Sequence, residues 1–216
     1  MKSWLFVGPT LLAGIGQVTN RYASLVRSAG HEAEYVVFGQ RPSKARYDYG
    51  FAFVLPIEDQ LGLVDQYATL CAKMYYMTIC ETETVNPAYG ILARYKSLLV
   101  SSEFCKGVFE RQFPDLNWEV LPLYAEPRVP RPPAPVTPYV FYTIGNILDP
   151  RKNIRGLIDA YLRCGFGDQA HLVLKATCNQ PVDWRVPGVT VINGLLSDAD
   201  LEKVHAAGHC YVNCSH

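Results

Sequence analysis

The chain has 216 residues, of which 49% are hydrophobic and 19% charged, enough apolar material for one large globular domain or two small ones and too much for a disordered segment. Twenty Lys plus Arg balance twenty Asp plus Glu. No global field therefore draws the protein to nucleic acid or anionic lipid, and any phosphate it binds must be held locally.

In chain order, Met1-Lys2 and the apolar stretch that follows to Ile15 imitate a secretory signal, but Gly8-Pro9 interrupts the stretch and it runs straight into an amphipathic helix pattern. No apolar run approaches the roughly 20 residues that a membrane helix needs, which predicts a soluble protein without a transmembrane segment. Residues 4–7 read as a short buried strand. Ile15, Val18, Tyr22, Leu25 and Val26 then recur at helical spacing until Gly30 ends the helix, with His31 filling the turn, and residues 34–38 form the next strand. Strand, glycine-containing loop, helix, turn and strand make the opening βαβ unit of a parallel sheet. Residues 51–55, 76–79, 97–100 and 118–121 are further β-rich apolar runs. Helical-looking segments at 60–73 and 103–112 separate them, the second capped by Ser101 or Ser102.

Between Tyr124 and Pro138 lie Pro127, Pro130, Pro132, Pro133 and Pro135, a density that excludes helix or central strand and suits a semi-rigid linker. This divides the chain into a first domain at 1–124, a linker at 125–138 and a second domain at 139–216. In the second, residues 139–144 read as a strand, and Ile154, Leu157, Ile158, Tyr161 and Leu162 share one helical face. Residues 171–174 and 190–192 are strands. Ser197 opens a helix, with Asp200 completing a capping-box-like pair and Leu196 and Leu201 forming a hydrophobic staple. A last strand at 210–213 leads to His216. These are too few elements to close a doubly wound sheet of about 100 residues or more, so the second domain reads as incomplete.

The seven cysteines (71, 80, 105, 164, 178, 210 and 214) are odd in number and irregularly spaced in a chain long enough to need no staples, which predicts reduced thiols and a cytoplasmic setting. His209, Cys210, Cys214 and His216 have metal-ligand chemistry, but the alternation from Cys210 to Cys214 favours a strand carrying small apolar residues on one face.

Two loops carry candidate chemistry. Gly14-Ile15-Gly16-Gln17 lies between the first strand and first helix, where glycines let backbone N–H groups approach an anion or sugar ring, or simply make a tight turn. Thr19 occupies the last glycine position of the G-x-G-x-x-G pattern, which disfavours a dinucleotide site. Gly145-Asn146-Ile147-Leu148-Asp149-Pro150-Arg151-Lys152-Asn153 again joins a strand to a helix. Arg151 and Lys152 sit where the helix dipole is also positive, an unfavourable local arrangement that a bound anion would explain. Lys175, at a strand end, is a further cation that reads as an ordinary solvated lysine or as one reaching the site.

Tyr142-Thr143-Ile144-Gly145, Arg151-Lys152-Asn153 and the helix that follows resemble the opening of the donor-binding domain in family-four retaining glycosyltransferases. Val191-Ile192-Asn193-Gly194, Ser197-Asp198-Ala199-Asp200-Leu201 and residues 206–215 are similar to that family's next strand, helix and strand. Gly14-Ile15-Gly16 and Gly30-His31-Glu32 match its glycine loop and second-strand entry, and Glu81-Thr82-Glu83 through Pro87 with Ser101-Ser102-Glu103-Phe104 resemble a subset of it. The resemblance implies an α/β chain of two Rossmann-like domains with parallel sheets (the GT-B architecture) meeting at a cleft. It implies a nucleotide diphosphate sugar as donor, a glycan, lipid or small-molecule hydroxyl as acceptor, no cofactor, and no metal. By position, Lys152 binds the donor diphosphate with Arg151, while Gly14 and Gly16 shape the floor beside it. Gly145, Asn146 and Lys175 are weaker donor-side candidates, and many members carry arginine where this chain has Asn146. Gln17 and Glu81 are acceptor-side candidates, although Thr82 and Thr84 make the Glu81 segment read more simply as a polar turn.

In that family the departing phosphate helps to deprotonate the incoming hydroxyl, so no side-chain nucleophile is implied and no catalytic residue is assigned. The family's acidic, glycine-containing loop that follows the counterpart of Asn213 is missing, which predicts a truncated chain with little turnover. Two other readings keep less of the pattern. A nucleotide-sugar epimerase of the same architecture would need a catalytic acid pair that is not evident. A non-catalytic nucleotide-binding or partner-binding remnant would account for the missing loop.

Overall fold

A computed structural model of the chain describes residues 1–11, 14–124, 138–177, 180–194 and 196–215. Most of the proline-rich linker, Cys178 and His216 lie outside the described residues. The chain divides into two compact units, Met1–Pro127 and Arg128–His216.

The first unit runs β1 (Ser3–Gly8), α1 (Gly14–Ser28), β2 (Glu32–Val37), β3 (Tyr47–Phe53), α2 (Glu58–Ala68), β4 (Cys71–Thr78), a 3-10 helix (Pro87–Arg94), β5 (Leu98–Val100), α3 (Glu103–Gln112) and β6 (Trp118–Val120). The strands form one parallel sheet in the order β2-β1-β3-β4-β5-β6. Alternate side chains of each strand enter different cores, as the period of two requires. Leu5, Val7, Ala52, Val54, Leu98 and Val100 pack with Leu61, Val64 and Phe109 of α2 and α3. Phe6, Phe51, Phe53, Met77 and Leu99 pack with Tyr22 and Ala23 of α1. The sheet is therefore covered on both faces, and each fully buried aliphatic or aromatic side chain stabilises it by on the order of 2 kcal/mol.

Helix α1 ends as its sequence dictates. Gly30 takes a φ of 81°, its N–H reaches the Arg27 carbonyl at 3.0 Å, and the His31 N–H reaches the Val26 carbonyl at 3.2 Å, the paired bonds of a Schellman cap. Helix α3 has the expected bounds and its cap is Ser102, whose Oγ accepts the Cys105 N–H at 3.2 Å. Helix α2 departs from expectation. It stops at Ala68, and Cys71 already pairs with Tyr47 in the sheet, so the expected helical residues 71–73 are strand. Strand β3 likewise begins at Tyr47 rather than 51. Gly50 lies inside that strand, where any Cβ would overlap the sulfurs of Met74 and Cys71.

The second unit runs β7 (Tyr139–Gly145), a 3-10 turn (Pro150–Lys152), α4 (Ile154–Cys164), a second 3-10 turn (Gly167–Gln169), β8 (Ala170–Ala176), β9 (Val189–Ile192), α5 (Asp198–Ala207) and β10 (Cys210–Tyr211). Its parallel sheet has the order β10-β7-β8-β9. Ile154, Leu157, Ile158 and Tyr161 bury one face of α4 against Leu172 and Leu174. Leu162, expected on that face, is 46% exposed. The Ser197 Oγ caps α5 by accepting the Asp200 N–H at 3.1 Å, and it also contacts the Asp200 carboxylate at 2.7 Å. The capping pair thus closes through the two side chains. Both units are α/β and Rossmann-like. No helix among the described residues is long and apolar enough to cross a membrane.

The amino ends of β1 and β3 are tied by one carboxylate. Asp48 accepts the Ser3 N–H at 2.8 Å and the Lys2 ammonium and Ser3 hydroxyl at 3.1 Å each, and these donors hold its pKa down at about 2. A carboxylate depressed in the folded state stabilises above its unfolded pKa and loses that contribution as pH falls through the folded value. Asp48→Asn is therefore expected to lower the denaturant midpoint at neutral pH. The gap from wild type should close between about pH 4 and pH 2, which chemical unfolding at stepped pH measures directly.

Candidate functional site

Each unit places one candidate loop at its own reversal of strand order. In the first unit β1 lies between β2 and β3, and in the second β7 lies between β10 and β8. The chain crosses from one side of the central strand to the other there, and such a reversal opens a crevice at the strand carboxyl ends where open α/β sheets bind ligands. Gly14-Ile15-Gly16-Gln17 begins the helix that leaves β1, and the turn from Gly145 to Asn153 leaves β7.

The two glycines of the first loop differ. Gly16 is buried, and a Cβ on it would lie 2.3 Å from the Thr10 carbonyl oxygen and 2.8 Å from that of Pro9, so its role is close packing of the helix against its own loop. The Tyr35 hydroxyl fixes the same loop by donating to the Pro9 carbonyl, and burial pushes that phenol up to about 12. Gly14 is exposed with open space beside it, and Gln17 is exposed one turn on. Gly14 and Gln17 are therefore the exposed positions of this motif. Thr19, at the position where a dinucleotide fold carries glycine, is fully buried and bonds the Ile15 carbonyl at 2.8 Å.

The second loop corrects the view of two cations opposing a helix dipole. Arg151 and Lys152 lie in the 3-10 turn ahead of α4, and Asn153 separates that turn from the helix. Asp149 caps the turn, accepting the Arg151 N–H at 3.0 Å, and its carboxylate takes the Arg151 Nε at 3.2 Å and Nη2 at 2.7 Å. The Arg151 contact, then the field of Lys152, holds the Asp149 carboxyl below its usual range. The turn thus carries a net charge of one cation, with Lys152 half-buried beside the pair. Asn153 has a φ of 48°, the one left-handed non-glycine among the described residues, a strain of about 1–2 kcal/mol that asparagine tolerates best. Asn146 is exposed, its Oδ1 accepting the Leu148 N–H at 3.2 Å, and a Cβ on Gly145 would meet nothing within 4 Å.

Lys175 is not a solvated strand-end lysine. It is 2% exposed, and its ammonium donates to the Ala176 carbonyl and, at 2.6 Å, to the Gly194 carbonyl. Glu81 is exposed in the turn after β4, where the Thr82 hydroxyl bonds the Thr84 carbonyl at 2.6 Å, the polar-turn arrangement. Two polar groups beyond the neighbouring strand ends went unread in the sequence. Gln60 Oε1 accepts the Leu55 N–H at 3.0 Å beyond β3. Asn213 Oδ1 accepts from the Ser215 N–H and hydroxyl at 3.1 and 2.7 Å beyond β10, an Asx turn for which Asn213-Cys214-Ser215 was the available signal.

Of the late His and Cys group, His209 Nδ1 is taken up by the Val140 N–H at 2.9 Å and its ring stacks on Tyr139. Among the described residues no group of three or more His, Cys, Asp or Glu is placed to hold a metal ion. A cavity of about 400 Å³ lined by Tyr161, Phe166, His171 and Gly188 lies at the amino end of β8, away from the strand carboxyl ends and from every candidate residue. No model of a known protein family matches the chain, and no curated protein matches it.

The glycines separate by substitution. Gly16→Ala is expected to cost about 1–3 kcal/mol because backbone oxygens cannot move aside, whereas Gly14→Ala should stay within about 0.5 kcal/mol of wild type. Thermal and urea unfolding of both variants reads the difference, and equal stabilities would overturn the packing role of Gly16.

Proposed function

We propose that the chain is a retaining glycosyltransferase of the GT-B class, moving a hexose from a nucleotide diphosphate sugar to a glycan, lipid or small-molecule hydroxyl in the cytoplasm. The observation that carries this reading is the turn from Gly145 to Asn153. It is a net-cationic, locally strained loop at the strand-order reversal of a parallel sheet, which is where such sheets hold phosphate. A second Rossmann-like unit with its own glycine loop supports it, as do the described cysteines, all of which are free thiols.

In this reaction the bond from the anomeric carbon to the diphosphate oxygen breaks and a bond to the acceptor oxygen forms on the same face. The acceptor proton passes to the departing phosphate. Negative charge builds on that phosphate, so the protein's task is to offer fixed positive charge and N–H donors where it develops. Lys152 is the better placed cation, since the fork of Arg151 is already engaged by Asp149. Arg151 contributes if the phosphate draws it from that carboxylate, an exchange between two anions that a guanidinium serves equally well. Gly145 and Asn146 bring backbone to the same edge. Gly14 and Gln17 fall to the acceptor side.

Lys152→Ala is expected to weaken the binding of a nucleoside diphosphate by about tenfold or more, corresponding to ~1.4 kcal/mol or above. Calorimetric titration of wild type and variant with uridine, guanosine and adenosine diphosphates measures it, and unchanged affinity would remove Lys152 from the site. Release of nucleoside diphosphate from a nucleotide-sugar panel in the presence of hydroxyl acceptors tests the transfer itself.

A further inference from the structure

Lys175 is a buried cation held by the Ala176 and Gly194 carbonyls. Taking an ammonium out of water is costly even where backbone carbonyls receive it. Such a group persists where its charge is used. It lies at the carboxyl end of the second sheet, in register with Ile144 of β7 and Ile192 of β9.

The peptide group between Ala176 and Thr177 links Lys175 to the candidate turn. Its carbonyl accepts from the Lys175 ammonium, and its N–H donates to the Gly145 carbonyl at 2.8 Å. A cation on the oxygen of a peptide polarises the N–H at its other end and strengthens the bond that this N–H makes. The same ammonium reaches the Gly194 carbonyl at 2.6 Å. Beside it, the Asn193 side chain bonds Val182 through both backbone groups at 2.8 and 2.9 Å. One cation thus ties together the ends of β7, β8 and β9.

We propose that Lys175 is a positioning residue for the diphosphate of the nucleotide sugar. It sets the carboxyl-edge backbone that receives the phosphates and places a desolvated positive charge beneath the Gly145 turn, without touching the ligand. The inference rests on the donor site proposed above. At short range and an effective dielectric well below that of water, one fixed charge changes the affinity for each ligand charge by on the order of tenfold.

The test compares wild type, Lys175→Met and Lys175→Arg, each checked for folding by circular dichroism and titrated calorimetrically with a nucleoside diphosphate and with the matching uncharged nucleoside. Lys175→Met should lose about tenfold or more for the diphosphate and less than about twofold for the nucleoside, while Lys175→Arg should recover most of the loss. Equal diphosphate affinity in Lys175→Met, or parallel loss of both ligands, overturns the inference while leaving the donor site standing. Failure of wild type to bind any nucleoside diphosphate overturns the donor site first. A measurement on wild type alone covers the case in which Lys175→Met does not fold. Hydrogen exchange at Thr177 and at the Gly145 turn should slow with diphosphate and not with nucleoside, and no such difference would equally overturn the role of Lys175.

Discussion

Parallel strands cannot be joined by tight turns, so every connection must cross a face of the sheet, and this requirement governs both units. Where a central strand's neighbours are reached by crossings in opposite directions, no connection covers its carboxyl end. β1 and β7 are those strands. The crossings also bury both faces, which is why Leu5 and Phe6, adjacent in sequence, belong to different cores.

The two uncovered ends differ in chemistry. Above β1 the loop is held by packing and neutral hydrogen bonds, with Gly16 against the Thr10 carbonyl and Tyr35 on that of Pro9. Above β7 charge is concentrated, with Asp149, Arg151 and Lys152 in one short turn and Lys175 buried at the neighbouring strand end. The concentrated charge therefore lies in the second unit, and Gly14 presents only exposed backbone with open space beside it. Internal neutralisation of Arg151 by Asp149 also means that one cation, rather than two, sets the resting charge of the turn.

Helical periodicity misled where it happened to continue past its element. Leu61, Val64 and Tyr67 recur with helical spacing and Cys71 extends the series, yet Cys71 pairs with Tyr47 because β3 needs a parallel neighbour. Periodicity reports which residues are apolar and leaves open which partner will bury them. The 3-10 helix from Pro87 to Arg94 went unread because proline signals interruption. Here Pro87 stands at the helix start and Asn86 caps it, accepting the Ala88 N–H at 2.9 Å.

The amino-acid sequence by itself determined the α/β class, the helix stop at Gly30, a serine cap at 101 or 102, the Ser197 cap and the two glycine-bearing loops, because each depends on neighbours within a few residues. The strand order, the burial of Lys175 and the pairing of Arg151 with Asp149 were decided by tertiary structure. The strand order and the bond from Lys175 to the Gly194 carbonyl join groups far apart in sequence. The Arg151 pairing joins near neighbours, but it depends on the 3-10 turn and the left-handed Asn153 that hold those two side chains ahead of α4.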